Sequence, residues 1–112
     1  MFRRKRQFDE LIERQLDIFA AEHADDLREI AEARLRWRRS DVEDAEEAFG
    51  DEQDRVEWAA EEIEKMADAY ALTLDEQAAV AYRAALLKRL RKRYPPIADA
   101  LRVTLGDDED EG

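Results

Sequence analysis

Val42, Phe49, Val56, Ile63 and Tyr70 recur at an unbroken spacing of seven. Seven residues make nearly two turns of α-helix, so these side chains return to one side of it. Ala45, Ala59 and Met66 fall on the d-like positions between them and complete an apolar seam along one long helix. A second stripe precedes it from Phe8 onward: Ile12, Leu16, Phe19, His23, Leu27, Ile30 and Trp37 keep helical spacing. Within it Leu16, His23, Ile30 and Trp37 are again seven apart, a register that leads to Asp44, whereas the next seam starts at Val42. The stripes are therefore out of phase, which predicts a break between Trp37 and Val42.

The break has a local cause. Ser40-Asp41-Val42-Glu43 matches a capping box, with Ser40 accepting from the N3 amide and Glu43 reaching back. Arg34, Arg36, Arg38 and Arg39 suit the negative end of the preceding helix dipole, and Asp41, Glu43 and Asp44 suit the positive end of the next. Gly50 lies within the seam, which passes through it without losing phase, so it belongs inside the second helix. The two helices are about 33 and 31 residues long, each near 45–50 Å, and form an antiparallel hairpin. Thr73-Leu74-Asp75-Glu76 is a second capping box and opens a third helix carrying Val80, Leu86, Leu87, Leu90 and Tyr94. Pro95-Pro96 stops it, and Ile97, Leu101 and Leu105 predict a short C-terminal helix.

The width of the apolar face places the third helix. Leu11 and Ile18 broaden it over residues 8–20, and Trp58, Ala67, Ala69 and Leu72 broaden it over residues 58–72. Over residues 27–49 only a narrow seam remains, enough for one neighbour. The third helix should pack on the chain-end half and leave the hairpin tip projecting. Leu16, Phe19, Ile30, Val56, Ile63 and Met66 are the expected core. The reading is an all-α fold in one domain over residues 7–105, with a basic leader at 1–6 and an acidic tail at 106–112.

Composition agrees and narrows the partners. Charged residues make up 44% of the 112 and hydrophobic ones 45%, with 3 glycines and 2 prolines, a balance that fits long helices. The formal net charge is -11. Residues 41–64 hold twelve carboxylates against one cation, Arg55. That field repels nucleic acid and anionic membrane, so nucleic acid is an unfavoured partner. No apolar run approaches a membrane span, and no membrane association is expected. With no cysteine, disulfides, thiolate metal sites and cysteine nucleophiles are excluded. The expected location is cytoplasmic.

Candidate chemistry is sparse. Lys88, Arg89, Arg91, Lys92 and Arg93 form the densest basic patch, beside Tyr94. It suits an acidic partner surface, and it equally complements the negative end of its own helix. His23 is the only histidine, with Glu22, Asp26 and Glu29 at nearby helical positions. A lone histidine on a seam is more often a packed residue than a ligand, and the Glu-x-x-His spacing of di-metal bundles is absent because position 20 is alanine. Carboxylate pairs such as Glu10/Glu13 and Glu22/Asp25 are of the kind that all-helical pyrophosphohydrolases of the MazG type use for magnesium, but lie closer together than that pattern asks. No glycine-rich phosphate loop or nucleophilic triad is present, so no catalytic residue, metal ligand or cofactor is assigned.

Phe8-Asp9-Glu10-Leu11-Ile12 with Arg14-Gln15-Leu16-Asp17, then Phe49-Gly50-Asp51, Ala69-Tyr70-Ala71 and Arg91-Lys92-Arg93-Tyr94 resemble a family of short uncharacterised bacterial helical proteins. The resemblance spans most of residues 2–101 and implies a shared helical fold without a known activity. The functional expectation is a non-enzymatic helical interaction module that docks a protein partner and pairs as a homodimer through His23, Leu27, Trp37, Val42, Phe49 and Val56. Alternatives are a carboxylate-based metal-binding bundle or enzyme and, more weakly, a nucleic-acid or ribosome-associated factor.

Overall fold

The computed structural model describes residues 8–39 and 42–106, and five helices run through those described residues. They are α1 (Asp9–Glu22), α2 (Ala24–Arg39), α3 (Val42–Ala71), α4 (Glu76–Arg93) and α5 (Pro95–Leu101), with no strand among the described residues. The fold is all-α. α2 ends and α3 begins on either side of residues 40 and 41, so the phase break marks the turn of an antiparallel hairpin. Ser40, Asp41, the leader and the tail from residue 107 lie outside the described residues, as do the side chains of Trp37, Val42 and Ala45.

Ion pairs show the hairpin's register. Arg36 meets Asp51 at 2.8 Å, Arg34 lies 3.8 Å from Glu52, and Arg55 pairs with Glu29. As the α2 number falls the α3 number rises, which is antiparallel packing. The seam buries Ile30 and Ala33 of α2 against Val56, Ala59 and Ala60 of α3. Glu52 stands on the same seam and is buried at 4% exposure, with Arg34 reaching it from α2.

The first helix is not continuous. A single helix of about 33 residues was the reading of its stripe; it is broken at His23 into 14- and 16-residue helices. His23 caps α1 at φ −124°, ψ 34°, its N–H still bonded to Phe19 O, and Leu27 N–H bonds back to His23 O. The backbone leaves the helical basin for this residue alone, so no glycine or proline is needed. The imidazole lies 4.9 Å from the Phe19 ring and 4.9 Å from Trp58, between α1 and α3.

Beyond the break α1 joins α3 and α4 in a three-helix bundle. Phe8 sits edge-on to Tyr82 and Gln15 accepts from the Tyr82 hydroxyl, while further up Glu13 and Asp17 meet Arg93. From Phe8–Tyr82 at one end to Asp17–Arg93 at the other both numbers rise, so α1 and α4 run in the same direction. α4 lies on the chain-end half of α3, where Arg83 pairs with Asp68 and Tyr82 packs on Tyr70. Tyr94 ends α4 and precedes α5, whose first turn is Pro95-Pro96. Ile97, Ala98, Leu101 and Leu105 close the top of the core.

Several positions depart from the apolar-face reading. Met66 is half-buried beside the core, not inside it. Ile18 and Val80 are exposed because each sits off the face that its helix turns inward, and Leu72, at 87%, because it lies in the turn just past α3. On α4 that face is Ala79, Tyr82, Leu86, Leu87 and Leu90, and Val80 stands about 100° round from Ala79. Asp75, not Thr73, is the N-cap of α4: its carboxylate accepts from Ala78 N–H at 2.7 Å, while the Thr73 hydroxyl donates to Tyr70 O.

Gly50 lies inside α3, exposed, and an added Cβ would meet nothing within 4 Å. Gly50→Ala is therefore expected to stabilise the fold by about 1 kcal/mol, since alanine loses less backbone entropy in a helix. A chemical-denaturation midpoint at or below that of the wild type would show the helix to be broken there.

Candidate self-association surface

The six hairpin positions assigned to pairing separate on the structure. Val56 is buried at 3% and Leu27 is half-buried against the core, so both hold the monomer together. His23 is half-buried between its two rings, with Nδ1 3.8 Å from Asp26. Phe49 remains half-exposed, and Leu35, which the stripe analysis passed over, is exposed to a similar extent on α2. The only signal for Leu35 was an apolar residue on a helix face otherwise rich in arginine. The assignments to the side chains of Trp37 and Val42 fall outside the described residues.

Phe49 borders a cleft between the hairpin and α5. Arg34, Glu52, Gln53 and Val56 form one side of it and Pro95, Pro96, Asp99 and Ala100 the other, enclosing about 360 Å³. It exists because α5 turns back over the middle of α3 and stops short of α2. Proline and alanine leave room on one wall and the Arg34–Glu52 pair lines the other, so the cleft combines an apolar rim with a charged floor.

The basic patch divides into two faces. Arg89 pairs with Glu13, and Arg93 meets Glu13 at 3.2 Å and Asp17 at 3.1 Å, with its guanidinium 5.4 Å from the Tyr94 ring centre. These two arginines tie α4 to α1. Lys88, Arg91 and Lys92 are exposed.

His23 faces two rings and one carboxylate. Among the described residues no three His, Cys, Asp or Glu side chains gather to hold a metal ion. No described helix is long and apolar enough to cross a membrane. Comparison with protein-family models, with curated proteins and with solved structures finds no match to this chain.

Proposed function

We propose that the chain is a non-enzymatic helical interaction module, whose hairpin pairs with a second copy to form a homodimer that docks a protein partner. The observation that supports this reading is Phe49, a large apolar side chain left half-exposed on the hairpin beside the cleft. An exposed large apolar side chain beside a cleft is a common mark of an interface. Twofold pairing of hairpins is the simplest way to cover it, because each copy offers the same surface to the other. Arg34 and Arg36 already meet Glu52 and Asp51 within one hairpin. The pairing therefore rests on apolar contact, and salt should weaken it little.

Phe49→Glu places a carboxylate in that surface and is expected to lower the solution mass from that of the wild type. Sedimentation equilibrium at tens of micromolar measures this against the 13.1 kDa of one chain. Equal masses for the two proteins, with unchanged helicity, would sink the hairpin reading.

A further inference from the structure

The groove between α1 and α4 has walls of opposite charge. Asp9 and Glu13 stand on the α1 side, Lys88, Arg89 and Lys92 on the α4 side, and Ile12, Ala84 and Ala85 between them. It encloses about 650 Å³. Arg89 crosses it to Glu13, whereas Asp9, Lys88 and Lys92 have no ion-pair partner among the described residues. Ala81 and Ala84 are exposed, and Val80 is exposed at 63% about one turn below Ala84.

We propose that this groove is a self-complementary interface that seats a second copy of the chain, with α1 of each copy laid over α4 of the other. The argument is geometric. A twofold axis parallel to two helices that run the same way preserves level along them and exchanges left for right. It sets α1 of one copy opposite α4 of the next, so Asp9 and Glu13 face Lys88 and Lys92 twice over. A twofold axis in the same plane but across the helices would set α1 on α1 and carboxylate on carboxylate, which charge repulsion opposes. The alanines let the facing helices approach at ordinary packing distance. A chain of net charge -11 resists association in general, and this face collects cations where they answer the other copy's acids.

The contact is separate from the hairpin and joins two homodimers where both operate. The test therefore uses the full chain carrying Phe49→Glu, in which hairpin pairing is suppressed. Sedimentation equilibrium at low salt and tens of micromolar should still give twice the 13.1 kDa of one chain. Adding Lys88→Glu and Lys92→Glu, both at exposed positions, should return the mass to that of one chain with helicity unchanged. In a chain with Lys88→Glu alone, Asp9→Lys should recover the association that the first change weakens. Salt at 1 M, where screening acts within about 3 Å, should dissociate the pair. A Phe49→Glu chain that is already monomeric overturns the proposal, as does a dimer indifferent to Lys88→Glu/Lys92→Glu.

Discussion

Ile63→Ala is expected to destabilise the protein by about 2–5 kcal/mol, the cost of a cavity where a large aliphatic side chain is removed from a closed core. Ile63 has no exposed surface. It lies on α3 between Ala60 and Ala67, which are also buried, so the neighbours on its own helix are too small to refill the space. A domain of this size has only ~5–15 kcal/mol in total, so the variant should melt well below the wild type. Each kcal/mol corresponds to roughly 4–8 °C in a domain of about a hundred residues. Leu72→Ala is the matching control. Its side chain is almost wholly in solvent, and the change should fall within about 0.5 kcal/mol of neutral. Similar melting temperatures for the two variants would place Ile63 outside the core.

Tyr82→Ala should cost about 3–5 kcal/mol, because the ring is fully buried where three elements meet. It stands edge-on to Phe8 at 5.6 Å and to Tyr70 at 4.8 Å. Its hydroxyl donates to Gln15 Oε1 at 2.9 Å. Tyr82→Phe keeps the ring and loses that hydrogen bond, so a smaller loss of ~0.5–1.5 kcal/mol is expected. The phenol also links stability to pH. Burial raises its pKa above the ordinary 10.0, and the Gln15 hydrogen bond works in the other direction without reversing the shift. The unfolded chain then loses this proton at lower pH than the native protein does. The associated stability is fully present below pH 10 and is lost as pH climbs through the raised native value. Thermal melts between pH 9 and about 12 should show the decline, and Tyr82→Phe should flatten it. A slope unchanged by that substitution would assign alkaline unfolding to other groups.

Most of the architecture could be read from residue spacing. The phase slip between Trp37 and Val42 located the hairpin turn, because a seam can bury itself only if its period holds. Gly50 was placed inside α3 by the same logic, against its ordinary preference for turns. Pro95-Pro96 ended α4 for reasons internal to proline. The features that escaped are those set by contacts distant in sequence. His23 breaks its helix with no glycine, proline or capping signature, in a conformation held by packing between Phe19 and Trp58. Glu52 is buried where Arg34 approaches from another helix, which no local pattern records. Val80 and Leu72 are core residues by type, but Val80 stands off the inward face of α4 and Leu72 falls past the end of α3. The basic patch could be found in the sequence, but its division into inward Arg89 and Arg93 and outward Lys88 and Lys92 required the position of α1.

The break at His23 also orders the events of folding. α2 and α3 are neighbours in sequence, so their seam can close as soon as both have left the ribosome. α1 is next to α2 in sequence yet completes its packing against α4, in contacts such as Gln15–Tyr82 and Glu13–Arg93 that are 67 and 80 residues apart. Closing a loop of that length costs entropy that only the finished bundle returns. An early hairpin followed by late capture of α1 is thus the route with the smallest entropic barrier, and α1 carries Ile12, Leu16 and Phe19 uncovered until most of the chain has been made.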